Sequence, residues 1–191
     1  NPDVSHFRLA THLITAFLTF SYTFWVALSL IYPNKSHQNK ILYKLSFLLM
    51  IVVVIQIIYG AFVAGLDAGK VYNTWPKMNN DWIAESVYAM TPFWSNFVNG
   101  IAGVQFIHRT FAFVVLGLII YIFYQSRKTP LIQLEKNAIN LLLITVFFQM
   151  VLGVITLVLG VPIWLGVIHQ LGAFILLGST VFSIFIFKPA K

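Results

Sequence analysis

Of 191 residues 59% are hydrophobic and only 9% charged, against roughly 25% in soluble domains, which excludes an ordinary soluble fold and leaves a membrane protein. Cysteine is absent, so disulfides, iron–sulfur clusters and thiolate zinc sites are excluded and any metal chemistry rests on histidine. The formal charge of +7 lies in short stretches between apolar runs rather than in a stripe, which reads as membrane topology and not as a nucleic-acid surface.

Crossing the hydrocarbon core takes about 20 predominantly apolar residues. Five stretches qualify, roughly Phe7 to Tyr32, Leu45 to Leu66, Gln105 to Tyr124, Ala138 to Gly160 and Ile163 to Phe187. Lipid offers the backbone no hydrogen-bond partners, so each is predicted to be helical and the fold class is an all-α polytopic bundle of five transmembrane helices. The first stretch is too long for a cleaved signal peptide and lacks a basic leader with a small-residue cleavage site.

The first stretch carries His12 about five residues in, within Arg8-Leu9-Ala10-Thr11-His12. The second contains Gln56 and ends in Gly60-Ala61-Phe62-Val63-Ala64-Gly65, with small residues four apart. That face suits either close helix packing or a flat macrocycle lying against Gly60 and Gly65. The segment 67–104 holds Tyr72, Trp75, Trp82, Tyr88 and Trp94. These suit either a membrane interface or a lid over the mouth of the bundle. Lys77 and Arg109 then serve either cofactor carboxylates at that mouth or lipid headgroups. Asp67 reads as a loop or capping residue, His6 and His37 as surface residues, and Glu135 as a solvated charge.

The third and fifth stretches repeat the theme of the first, with His108 in Gln105-Phe106-Ile107-His108-Arg109 and His169 in Gly166-Val167-Ile168-His169-Gln170. His12 and His169 both open His-x-x-x-Ala-Phe, and the second and fourth stretches share Gln-x-x-x-Gly, as Gln56 to Gly60 and Gln149 to Gly153. This is a weak internal repeat of the kind that duplicated helix pairs leave.

Orientation follows from the basic residues. Lys35, Lys40, Lys44, Arg127, Lys128, Lys136, Lys188 and Lys191 fall on one side, while Arg8, Lys70, Lys77 and Arg109 fall on the other. The richer side is expected to face the cytoplasm or matrix, which turns the amino end and segment 67–104 outward. The three histidine helices then run in the same direction. Their histidines, about four to six residues in, agree in depth to within roughly 3 Å. Imidazole in hydrocarbon is costly and functional by default, and two axial ligands of one porphyrin must share a level. On this reading His108 and His169 clamp a heme iron.

Gly60-Ala-Phe-Val-Ala-Gly-Leu-Asp-Ala-Gly69 followed by Val71-Tyr-Asn-Thr-Trp-Pro-Lys-Met78 resembles the signature of heme A synthases of the mitochondrial and alphaproteobacterial type. Gln105 to Arg109, Leu152-Gly-Val-Ile-Thr-Leu157 and the stretch from Val161-Pro162 to His169-Gln170 are similar to later motifs of that family, in the same order. The resemblance implies an oxidoreductase that converts the C8 methyl of heme O to the formyl group of heme A for respiratory oxidases. It implies eight helices in two pseudo-symmetric halves, of which this chain is similar to the last five. Residues 1–32 would be the last helix of a substrate-heme half, and 33–191 a four-helix heme b bundle with outer loop 67–104.

The resemblance puts heme b between His108 and His169, and heme O, the substrate, or heme A, the product, on His12. The family's second ligand to the substrate heme and its catalytic glutamate would fall before Asn1. Catalytic residues within the chain are therefore left unassigned, and catalysis by this segment alone is not expected. Family members with a cysteine pair in the outer loop are not matched. The implied partners are the bilayer, heme O, a heme O synthase and an electron donor, with self-association open and no nucleic acid. The implied location is a bacterial plasma membrane or mitochondrial inner membrane. Two other readings stay open: a b-type electron-transfer cytochrome or membrane anchor, and a bundle whose histidines only join helices.

Overall fold

The computed structural model describes residues 5–33 and 39–189. His37, Lys35 and Lys191, used above, lie outside the described residues. Five helices are long and apolar enough to cross a membrane: α1 (His6–Ile31), α2 (Lys40–Gly65), α3 (Ile101–Ser126), α4 (Gln133–Val158) and α5 (Ile163–Phe187). At 25 or 26 residues each they are about 38 Å long, enough for the hydrocarbon core with a polar turn to spare. The described residues contain no β-strand, so the all-α polytopic reading holds.

Several helices begin before their apolar runs do, because polar side chains complete the first turn. Asn39 caps α2 by accepting from the Leu42 amide at 3.0 Å, and its own amide donates to Thr129 at 3.3 Å, which ties the start of α2 to the α3–α4 connection. Glu135 is 2% exposed, and its Oε2 accepts the Ile132 amide at 2.9 Å. It is thus a buried N-terminal cap of α4 rather than a solvated charge, because the unpaired amides of a first turn attract a carboxylate.

Helices α2, α3, α4 and α5 form a ring in which each touches the next and α5 closes on α2; α1 lies outside, against α2 and α5. The main core fills the half of the ring away from the α2–α3 connection. It is built from Leu42, Leu49, Val53 and Ile57 on α2, Val115, Ile119 and Ile122 on α3, Ala138, Leu142 and Val146 on α4, and Leu176, Leu177 and Val181 on α5. A buried bond of 2.8 Å between Ser46 and Ser183 adds a polar tie between α2 and α5. On the exposed side of α1, Thr11, Thr15, Thr19 and Thr23 each donate to the carbonyl four residues back, which satisfies these four hydroxyls toward lipid.

The connection from α2 to α3 folds through three short 3-10 turns, Ala68–Lys70, Glu85–Tyr88 and Phe93–Phe97. Buried Asn96 organises it by accepting from the Met90 amide at 2.8 Å and donating to the carbonyls of Met90 at 3.1 Å and Phe93 at 2.8 Å. Asp67 sits exposed in the left-handed region at φ 52° and pairs with Lys70 at 2.7 Å, as a loop residue does. His6 is not a plain surface residue: its Nε2 bonds to the Val98 carbonyl at 2.9 Å and its ring meets Phe62 edge-on at 5.1 Å. It docks the start of α1 onto the α2–α3 connection.

Candidate functional site

His108 is the eighth residue of α3, and His169 and His12 are the seventh residues of α5 and α1. Counted from its helix's first residue, each of the three is thus seven or eight residues in. On α3 and α5 the main core stops well short of the histidines, whereas on α2 it reaches Ile57. Its outermost members on α3 and α5 are Val115 and Leu176, each seven residues inward of its helix's histidine. Two turns of α3 and α5, about 10 Å of helix, thus stand above a packed floor.

Across this level the rings of His108 and His169 face one another, with centroids 6.5 Å apart and planes at 84°. Each Nδ1 is buried and has no hydrogen-bond partner. Each Nε2 also makes no bond but keeps open surface, so it is the nitrogen available to a ligand. Metal–imidazole bonds are about 2.0–2.1 Å, so two imidazoles on opposite sides of one metal have centres roughly 6 Å apart. The observed spacing fits that. Among the described residues no three of His, Cys, Asp or Glu come close enough to hold a bare ion. Two nitrogens alone suit a metal that brings its other ligands with it, as a porphyrin iron does.

The rings are seated by neighbouring helices that repeat one device. Gly60 of α2 carries the His108 ring so closely that a Cβ there would lie 3.2 Å from Cε1, and a Cβ on Gly153 of α4 would lie 2.9 Å from Cε1 of His169. One turn earlier, Gln56 donates to the carbonyl of His108 at 3.0 Å and Gln149 to that of His169 at 3.0 Å. The Gln-x-x-x-Gly repeat thus marks the two helices that hold the two histidine helices. Gln56 and Gln149 were visible in the sequence only as that repeat, and Gly153 also within the Leu152–Leu157 motif.

The α2–α3 connection crosses the mouth of this site. Asn73 donates to Gly69 at 2.6 Å and to Leu157 of α4 at 2.9 Å, and Gln105 of α3 donates to the Tyr72 carbonyl at 3.2 Å. A Cβ on Gly69 would lie 2.8 Å from Cγ2 of Val161 in the α4–α5 turn, so a larger residue there would have to push the valine side chain aside. Arg109 gathers the loop, with Nη2 donating to the carbonyls of Thr74 at 2.8 Å, Pro76 at 3.0 Å and Lys77 at 2.9 Å. Its Nη1 is buried without a partner. The segment 69–77 therefore spans from α2 over α3 to α4.

The structure does not gather every candidate. The ammonium of exposed Lys77 stands over the Trp82 ring at 5.6 Å, and what Lys77 gives Arg109 is its carbonyl. Gly65 faces α1, where a Cβ would lie 2.7 Å from the Cα of His6. It serves helix packing, while Gly60 faces the histidine. His12 is exposed on α1 and makes no hydrogen bond or ring contact among the described residues.

Fold and site together define a multi-span helical membrane protein with two histidines paired across its bundle at one depth. The chain belongs to the cytochrome oxidase assembly protein family (COX15-CtaA), whose model matches residues 1–181. Curated relatives named heme A synthase are similar to it. The one from Flavobacterium psychrophilum is 49% identical over 185 residues, covering 96% of this chain and 55% of the relative. That from Beijerinckia indica is 42% identical over 188 residues, covering 94% and 51%, and that from Wolbachia pipientis wMel is 37% identical over 191 residues, covering 95% and 51%. The chain spans about half the length of the curated relatives it matches. No solved structure matches it.

Proposed function

We propose that the chain is the cofactor-bearing part of a heme A synthase, in which His108 and His169 hold a heme b that serves oxidation of heme O to heme A. The observation that carries this reading is the pair of imidazoles 6.5 Å apart, each with an unbonded Nε2. Membership of the family and the name of its relatives supply the substrate. When bound, heme b supplies a one-electron couple; the chain's own residues position it and exclude water from it. Gly60 and Gly153 seat the two rings, Val115 and Leu176 stand at the floor, and the segment gathered by Arg109 roofs the mouth. The unpartnered Nη1 of Arg109 is assigned to a carboxylate at the cofactor's edge, since a buried guanidinium nitrogen needs an acceptor.

In this reading α1 belongs to a neighbouring substrate half, with His12 as one ligand of the substrate heme, and α2 to α5 form the heme b bundle. The protein lies in a bacterial plasma membrane or mitochondrial inner membrane, with its carboxyl end toward the cytoplasm or matrix. The test is spectroscopic. Purified full-length protein should contain protoheme by its pyridine hemochrome and show a low-spin spectrum, because two imidazoles fill both axial positions. His108→Ala and His169→Ala should each abolish that spectrum or turn it high-spin, and Arg109→Gln should keep it while lowering the heme retained. Unchanged low-spin bands in both histidine variants would remove the assignment.

A further inference from the structure

The carbonyl of each paired histidine takes a bond from outside its own helix. Nε2 of Gln149 on α4 donates to the carbonyl of His169 at 3.0 Å, and Nε2 of Gln56 on α2 donates to that of His108 at 3.0 Å. A helical carbonyl spends one lone pair on the helix and keeps a second for such a donor. The rest of the Gln149 amide lies along α5. A Cβ on Gly172, one turn after His169, would overlap Oε1 of Gln149 and lie 3.2 Å from its Cδ and 3.8 Å from Cδ2 of Leu152. The bare Cα of Gly172 is thus a slot in which the amide rests on the backbone, with a Cα–H directed at its oxygen. On α3 the residue three after His108 is Phe111, whose ring stacks on Tyr59 of α2 with centroids 6.4 Å apart. The two seats share the carbonyl bond and differ at the position three residues on.

We propose that Gln149 and Gly172 are positioning residues for the His169 imidazole, with Gln56 in the same role for His108, each acting through the backbone of the ligand residue rather than through its ring. The inference rests on the heme-ligand reading above. Only two side-chain torsions separate an imidazole from its Cα, so the place of that Cα decides where Nε2 falls, and metal–imidazole bonds hold to about 2.0–2.1 Å. Gly153 lies close beside the His169 ring, where a Cβ would stand 2.9 Å from Cε1, which leaves the ring little swing to make up for a displaced backbone. An amide anchored on the His169 carbonyl and seated on Gly172 fixes that backbone without bringing a charge into hydrocarbon.

The competing role is plain packing, in which the glutamine and the glycine only bring α4 and α5 together. Electron paramagnetic resonance of full-length, heme-loaded protein separates the two. The g-values of a ferric heme with two axial imidazoles follow the placement of the rings, whereas packing alone is read in yield and melting temperature. Gly172→Ala should push the Gln149 amide off the backbone, and Gln149→Ala should remove it. Each should shift the g-values and lower the heme-to-protein ratio, with low-spin bands retained. In a Gln149→Ala background Gly172→Ala should add no further shift, since the methyl enters space the amide has left. In a Gln56→Ala background, which alters the other histidine's seat, Gly172→Ala should shift the signal by as much as it does alone. If Gly172→Ala does not accumulate, Gln149→Ala decides by its own g-values. Wild-type g-values in Gln149→Ala, or shifts of Gln149→Ala and Gly172→Ala that simply add, would overturn the positioning role while leaving the heme ligands standing. A wild-type protein without a bis-imidazole spectrum would instead overturn the heme reading on which this one depends.

Discussion

Single atoms decide whether the histidines can stand where they do. On Gly153 one added methyl group falls 2.9 Å from the His169 ring, inside contact distance, while on Gly60 it falls 3.2 Å from His108, tight but open to a small ring shift. Gly65 faces backbone, the Cα of His6 at 2.7 Å, which cannot swing aside. The three glycines should therefore separate by readout. Gly153→Ala should lower the heme-to-protein ratio more than Gly60→Ala does, with folded yield preserved. Gly65→Ala should instead cost about 1–3 kcal/mol of stability, as overpacking does, and leave the heme ratio unchanged. A full heme ratio in Gly153→Ala would show that its ring seat is not needed. The sequence makes the histidines legible because imidazole is rare in an apolar run, and it makes Gly60 legible within a glycine motif. It does not distinguish Gly60 from Gly65, since facing one neighbour or another depends on where α1 and α3 dock.

At the scale of whole elements, all five helices are legible from hydrophobic length, while their ends are less so. The starts of α2 and α4 run ahead of the apolar stretches because Asn39 and Glu135 set them rather than hydropathy. The burial of Glu135 and the docking of His6 on Val98 depend on contacts that no local pattern announces. The structure keeps the outer features at one end of the bundle, since His6, the 69–77 segment and the α4–α5 turn touch one another's supports. Asn39 and Thr129 meet at the other end. Because the chain has no cysteine, an introduced thiol is the only one it contributes, which makes its sidedness measurable. In sealed inside-in spheroplasts, Asn80→Cys should react with a membrane-impermeant maleimide before lysis and Thr129→Cys only after it. The opposite order would reverse the orientation inferred from the basic residues.

For the molecule as a whole, the unresolved partner is that of His12. Two histidine helices, α3 and α5, each have a glutamine–glycine helix against them, and their rings meet each other. The third, α1, rests on α2 and α5 with His12 exposed at the same depth and nothing described against it. An exposed imidazole in lipid is costly, so the residue needs a partner beyond α2 to α5, and the chain's coverage of about half of its relatives leaves room for one. If that partner is a second heme site, the two sites sit on different sides of α2 and α5 and need not share a fate. His12→Ala in the full-length protein should leave the low-spin spectrum of the His108–His169 pair intact while stopping conversion of heme O to heme A, measured by extracting hemes from membranes. Loss of the low-spin bands would put His12 in the same site as the other two histidines, and undiminished heme A would remove it from the substrate site. Only the combination of a retained spectrum and lost product fits a molecule with one heme held inside the ring and another handled along the outer face of α1.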